Sequence, residues 1–387
     1  MNIKSLLLGS AAALLAVSGA RAADAVVVAE PEPMEYVRIC DVYGTGFYYI
    51  PGTETCLRIG GLVRYEIDGQ TDDDGWKKIA LARLKMDARS ESEFGTFRRY
   101  IEIQHSVGGS ATEDNGWIKG RRPVLDDDDI VGSEEVDVWT GLMGESGTTL
   151  RYAYIELGGL LIGHTDTLWD GGLSAEFDQN GGDRINQIRY TFDAGNGITL
   201  SASLEEESYN FDYVPLVVGK VSFAQGWGSV DLWAAYDDAF GEGAFKALAS
   251  FKATDALTVE LLATYETGPS YWSVTTEYIG YEWTVGADVV YKVNEKLGLT
   301  FGGQYLSNLH DDNLQKFVPG TGTPPTTGKF VPVFGEGGDN NWRIGADIDY
   351  NIIQNLDTKL SVNYYNGDSF EEDGGVVYGF IRLDAAF

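Results

Sequence analysis

The chain has 387 residues and carries 59 acidic against 28 basic side chains, a formal charge of −31. That balance excludes nucleic acid as a partner, because a binding face needs clustered Lys and Arg. Two Cys and three His leave little material for a thiolate or imidazole metal site. With 43% apolar residues, 49 Gly, 22 Tyr, 17 Phe and 9 Trp, the chain is no disordered acidic tail either; the profile is that of a β-protein with long wet loops.

Residues Met1–Ala22 read as a secretory signal peptide: Lys4 supplies the positive start, Leu6–Val17 the apolar stretch, and Ala20-Arg21-Ala22 the small-x-small cleavage site. Twelve apolar residues fall short of the ~20 a transmembrane helix needs, and no other segment comes closer, so a membrane location would not be helical. The mature chain is expected to begin at Ala23, and losing Lys4 and Arg21 lowers the bases to 26 and the charge to −33. An N-terminal segment, residues 23–56, precedes the periodic part. It holds both cysteines, Cys40 and Cys56. In an exported protein this pair is expected to form one disulfide around a loop carrying Gly44, Gly46 and Pro51; two free thiols are the alternative.

From Leu57 onward the chain alternates with period two. Leu57, Ile59, Val63, Tyr65 and Ile67 share one face and Arg58, Arg64 and Glu66 the other. Ala80, Ala82, Leu84, Met86 and Ala88 oppose Arg83, Lys85, Asp87 and Arg89. In the next run Phe97, Ile101 and Ile103 alternate with Arg98, Tyr100, Glu102 and Gln104, while Arg99 and His105 fall in the apolar phase and are expected near the membrane interface. Leu257–Tyr265, Trp283–Val293, Leu297–Tyr305, Trp342–Tyr350 and Leu360–Tyr364 repeat the pattern, and the last strand sets Val377, Ile381, Leu383, Ala385 and Phe387 against Tyr378, Phe380, Arg382 and Asp384. One such strand fits a soluble sheet. Many, about 9–11 residues long, edged by Trp and Tyr and preceded by an export signal, predict a transmembrane antiparallel β-barrel. The runs number sixteen, the least distinct being Thr149–Leu157, Leu160–Thr165 and Val217–Phe223. Short connections such as Gly158–Gly159 and Ala194–Gly197 alternate with long ones such as Gly108–Gly147, Thr167–Arg184 and Asn308–Asp339, as expected of a barrel with long outer loops, here eight.

No catalytic constellation emerges. His105, His164 and His310 lie in no metal-ligand spacing, and no G-x-S-x-G elbow is present, so an enzyme, a metal centre and a cofactor are not expected. The acidic runs Asp72–Asp74 and Asp126–Asp129 could hold Ca²⁺ weakly or, with more precedent, form solvated surface. More informative is the polar face of the first three strands, with Arg58, Arg64, Arg83, Arg89 and Arg98. A charged side chain facing lipid costs ~2–4 kcal/mol near the midplane, so this face is expected to line a lumen. The segment Thr167–Arg184 carries Asp170, Glu176, Asp178 and Asp183 between two Gly-Gly pairs. Folded inward, its acids would oppose the arginines and set a transverse field across a narrow eyelet; left outside, it is an ordinary surface loop.

The run EYVRICDVYGTGFYYIPGTETCLRIGG (Glu35–Gly61), with Val63-Arg64 after it, resembles the N-terminal signature of the alphaproteobacterial, rhizobial-type outer-membrane porins. RLKMDARSESEFGTFRRYI, RYAYIELGGLLIGHTDT and the terminal Phe also look like that family. The resemblance implies a sixteen-stranded homotrimeric barrel in the outer membrane, facing its lipid and lipopolysaccharide, with the loop after the fifth strand folded in as the constriction. It implies passive diffusion of small hydrophilic solutes and ions and no cofactor. It also carries over Arg64, Arg83, Arg89 and Arg98 as wall residues of the constriction and Asp170, Glu176, Asp178 and Asp183 as its loop acids. A solute-selective channel and a structural or adhesive surface barrel are the competing readings. The mature charge favours mild cation selectivity, against the pull of the arginines.

Overall fold

The computed structural model describes residues 38–71, 76–110, 117–126, 129–139, 145–178, 181–206, 214–276, 279–309, 315–319, 328–332, 340–367 and 375–387. The expected signal peptide, the run Asp72–Asp74 and the side chains of Asp126–Asp129 lie outside the described residues.

Sixteen antiparallel strands form the wall: β1 Cys56–Gln70, β2 Lys77–Ser92, β3 Gly95–Ser110, β4 Glu145–Leu157, β5 Leu160–Asp166, β6 Arg184–Gly195, β7 Ile198–Glu205, β8 Leu216–Gln225, β9 Gly228–Asp237, β10 Glu242–Lys252, β11 Leu257–Glu266, β12 Ile279–Lys292, β13 Leu297–Leu309, β14 Asn341–Ile353, β15 Leu356–Tyr365 and β16 Val376–Ala386. Each pairs with its chain neighbours, and β16 returns to β1 in register from Leu62↔Ala386 to Gln70↔Tyr378. Gly61 and Phe387 then exchange backbone hydrogen bonds of 3.0 and 3.1 Å, so the terminal aromatic residue completes the seam. Closure leaves the wall no edge whose N–H and C=O groups would face hydrocarbon unpaired.

The weak runs are strands after all. Thr149–Leu157 and Val217–Phe223 fall within longer strands, and the seven-residue β5 ends at Asp166. At one end the connections are tight: 158–159 is a Gly-Gly turn, and Asn196-Gly197, with φ of 54° and 77°, takes the left-handed pair that a two-residue hairpin requires. The other end bears the eight remaining connections. One of these, residues 238–241, is only four residues long, and two of the long ones are built around hairpins, Trp117–Asp126 with Asp129–Trp139 and Gln315–Pro319 with Gly328–Pro332.

The burial pattern is inverted relative to a water-soluble protein. Val63, Leu232, Phe301 and Ile381 stand exposed on the outer face, whereas Thr264, Thr284, Asp288 and Asp347 are buried inside. Such a surface is stable only against lipid. Arg99 and His105 keep the outward phase; Arg99 lies near the tight-turn end and donates to Ser90 (3.2 Å), and His105 meets Thr148 of β4 (2.8 Å). The apolar core sits inside the barrel, under the 167–183 loop: Leu168, Trp169, Leu216, Val218, Trp233, Tyr271 and Trp272 form one cluster, and Leu173, Ala175, Phe177 and Leu262 another. Ahead of β1, Cys40 is joined to Cys56 in a disulfide that pins the turn Asp41–Tyr43 and the buried Phe47 to the start of that strand.

Replacing Phe301, 63% exposed at mid-strand on β13, by Arg puts a charge into the lipid face. The expected loss is ~2–4 kcal/mol, read by urea unfolding of bilayer-inserted protein.

Candidate functional site

Alternation turns a dense set of ions inward from β1 to β4. Arg64 forks onto Asp384 of β16 with two bonds of 2.7 Å. Asp87, only 2% exposed, accepts forked bonds from Arg89 (2.9 and 2.7 Å) and Arg98 (both 3.1 Å), with Arg58 at 3.6 Å. Arg98 also reaches Glu156 at 2.8 Å. Glu102, equally buried, sits among Arg83 (3.8 Å), Lys85 (3.8 Å) and Arg151 (3.1 Å), and Gln104 accepts from Arg83 and Arg151. Two buried carboxylates thus each hold three cations, and the wall presents surplus positive charge to the lumen.

Arg151 escapes a period-two reading. The register of β3 and β4 shifts between Glu102 and Ile103, so that Glu102 faces Tyr152 while Ile103 faces Leu150. The extra residue of this bulge is Arg151, which points inward beside Tyr152.

The 167–183 loop crosses the lumen, held by the opposite wall through its backbone. Glu205 of β7 accepts from the Thr167 hydroxyl (2.5 Å) and the Leu168 N–H (2.8 Å). Trp233 of β9 donates to the Leu168 carbonyl at 2.8 Å, and Lys246 of β10 donates to the carbonyls of Trp169 and Gly171. Three successive N–H groups then meet three wall carboxylates: Ser174 with Glu260 of β11 (2.9 Å), Ala175 with Asp288 of β12 (3.0 Å) and Glu176 with Asp347 of β14 (2.9 Å). A loop inside a barrel has few backbone partners of its own, and ionised acceptors make the strongest substitutes. Phe177 is fully buried over Gly345, where an added Cβ would lie 2.9 Å from the Phe177 ring.

The four loop acids separate. The Glu176 carboxylate completes the crossing, accepting from Lys359 of β15 (2.9 Å) and Arg382 of β16 (3.3 Å), and Arg382 also bonds Glu66 of β1. Asp178 accepts the Leu173 N–H at 2.8 Å and so closes the loop on itself. Asp170 is exposed on the loop, and Asp183 stands at its foot, exposed, 3.5 Å from Arg184. The expected wall residues Arg64, Arg83, Arg89 and Arg98 all face inward, but the wall cations that meet the Glu176 carboxylate are Lys359 and Arg382. Their inward phase was readable from the alternation; the height at which the loop crosses was not.

At the tight-turn mouth the disulfide-closed segment leans on the same wall. The Tyr43 hydroxyl donates to Glu91 at 2.6 Å, and burial together with that carboxylate pushes its pKa up to about 12. It therefore stays a neutral donor at every physiological pH.

A closed sixteen-strand barrel with a wet, ion-lined interior crossed by one loop defines a class, the outer-membrane channel. The chain belongs to the porins: the family model described as "Porin subfamily" matches residues 24–379. It is 37% identical over 337 residues to Porin Omp2b of Brucella abortus (strain 2308), covering 81% of this chain and 85% of that protein. With Porin Omp2a of Brucella ovis it shares 39% over 332 residues, 81% of this chain and 91% of that one. Among solved structures, the outer membrane channel DcaP of Acinetobacter baumannii superposes with a TM-score of 0.56 at 14% identity, covering 88% of this chain and 99% of that one. The trimer form of Vibrio cholerae OmpT gives 0.53 at 11%, covering 87% and 100%. The protein is thus an outer-membrane porin of many β-strand passes, its tight turns toward the periplasm.

Substituting Glu176 by Gln removes one of the two carboxylates beside each of Lys359 and Arg382, which keep Asp349 and Glu66. The Cl⁻/K⁺ permeability ratio is expected to rise about twofold, measured as a reversal-potential shift under a KCl gradient.

Proposed function

We propose that this porin is a general-diffusion pore, passing small hydrophilic solutes and ions passively, with its eyelet between the 167–183 loop and the basic wall of β1–β4 and β16. The carrying observation is the span of that loop: it leaves β5 and ends with Glu176 between Lys359 and Arg382. Acidic loop and basic wall then face each other across the narrowest section, where water and polar solutes align with the field and apolar solutes lose hydration. Arg64, Arg83, Arg89 and Arg98 belong to the wall side of this eyelet and Asp170, Glu176, Asp178 and Asp183 to the loop side, with Glu176 the acid in closest engagement.

In this reading residues 1–22 are removed on export, and the chain from Ala23 forms one barrel domain whose N-terminal segment is tied by Cys40–Cys56. Three copies assemble, as in the trimer form of OmpT, with lipid and lipopolysaccharide around the outer face. The work is passage rather than catalysis, in keeping with relatives that are porins, and no cofactor is needed.

Conductance of purified protein in a planar bilayer under a KCl gradient tests this. Large ohmic steps in groups of three are expected, with a small potential toward cations. Well-folded protein that gives no steps would overturn the pore; single, ungrouped steps would keep the pore and remove the trimer.

A further inference from the structure

Six cations on β1–β4, Arg58, Arg83, Lys85, Arg89, Arg98 and Arg151, share the two buried carboxylates Asp87 and Glu102. Glu156, bonded to Arg98, Glu91, bonded to Tyr43 and Thr96, and Asp166, bonded to the Tyr152 hydroxyl, also touch this patch, five acids in all against six cations. Cations therefore outnumber acids, and Arg58 and Lys85 turn much of their length to the lumen (47% and 40% exposed). The patch runs from the wall side of the eyelet down to the tight-turn mouth. Arg58 pairs with Asp87 and Gly60 with Lys85, nearer the tight-turn end of β1 than Glu66, the partner of Arg382.

Tyrosines are laid between the two carboxylates. Tyr100 and Tyr154 are stacked, with centroids 5.2 Å apart and planes at 27°, and Tyr152 follows at 6.2 Å from Tyr100. The Arg98 guanidinium sits over Tyr100 (4.9 Å) and Tyr154 (5.4 Å), and the Tyr100 hydroxyl donates to Glu102 at 3.0 Å, which fixes that ring. The disulfide-closed segment completes the rim from below. Its buried Phe47 carries the guanidinium groups of Arg58 (4.9 Å) and Arg89 (5.2 Å) over its ring, and Arg89 is further held by its fork onto Asp87. Such pre-organised forks match carboxylates, and half-buried ring faces match flat apolar ones.

We infer that this patch is a periplasmic-side binding site for small carboxylate anions that carry a flat ring. Arg58 and Arg89 take the carboxylate, Tyr100 and Tyr154 the ring, and Phe47, set in place by Cys40–Cys56, is a positioning residue. The inference rests on the lumen being an open pore, and it adds to plain diffusion a preference by ligand shape.

The test is block of the KCl current by added solute in the bilayer. Benzoate is expected to reduce the current at about tenfold lower concentration than acetate, while neutral benzamide leaves it unchanged. Tyr154→Leu should bring the benzoate-to-acetate ratio down about fivefold and leave acetate where it was. Arg58→Gln should weaken both anions together, because it removes charge and not the ring face. The double variant Cys40→Ser/Cys56→Ser should conduct as before but weaken both anions, as Arg58 and Arg89 lose their support; unchanged block would remove Phe47 from the scheme. Equal block by benzoate and acetate in the unaltered protein, or an unchanged ratio in Tyr154→Leu, overturns the site while leaving the pore standing. Absence of any KCl current strikes the pore reading itself.

Discussion

Everything in this structure follows from one constraint: in hydrocarbon, no backbone N–H or C=O can be left to water. An open sheet fails it at two edges. The chain meets it where β16 returns to β1 and Phe387 exchanges backbone bonds with Gly61. Once the wall is closed, period-two alternation does the rest. Each strand must show lipid an apolar face, and its opposite face is then free to carry almost any polar cargo, because sixteen strands enclose water rather than packed side chains. The charges of this acidic protein are gathered inside and at the ends by elimination.

The same constraint reappears at smaller scale in the loop. A segment that leaves the wall and crosses the lumen gives up sheet partners, and the structure replaces them one by one from the opposite side: Glu205, Trp233, Lys246, Glu260, Asp288 and Asp347 each bond to loop backbone or to its first side chain. Apolar packing closes the gaps, with Trp169 against Trp272 at 5.8 Å and Phe177 in the notch over Gly345. Position and rigidity of the eyelet are thus properties of the wall as much as of the loop sequence. Glu176 is held at its backbone by Asp347 before its side chain meets Lys359 and Arg382, so its carboxylate is placed rather than floating.

The wall was therefore legible from the sequence and the crossing was not. Val63 outward and Arg64 inward are decided by neighbours two residues apart, and the same local rule runs along the other strands; a mid-strand bulge breaks it and turns Arg151 inward beside Tyr152. The disulfide was readable because only two cysteines exist in an exported chain. Which acids engage the wall depends on register summed over many strands and on the path of a loop whose glycines admit several. Sequence treats Asp170, Glu176, Asp178 and Asp183 alike. In space one bridges the lumen, one folds the loop on itself, one is exposed along it and one stays at its foot. Lys359 and Arg382 were visible as inward residues, yet nothing local marks them as the ones the loop would reach.

Net charge is consequently a poor guide to what the pore feels. Taken alone, a formal charge of −31 points toward cations. Yet Glu205, Glu260, Asp288 and Asp347 are engaged with loop N–H groups, and Asp87 and Glu102 are buried beneath cations. These acids neutralise or anchor; they present little free charge to a passing ion. The groups that do face the lumen on β1–β4 are mostly guanidinium and ammonium, some of them lying on tyrosine rings. A permeating solute thus meets an acidic field from exposed loop residues such as Asp170 and Asp183 and a basic, ring-lined one from the wall, which continues below the crossing. Because a Debye length is ~8 Å at physiological salt, the two are not averaged over the barrel. Selection is then decided by the local arrangement at each level of the lumen, and a ring-bearing anion that passes the first field finds in the second the partners it lacks in water.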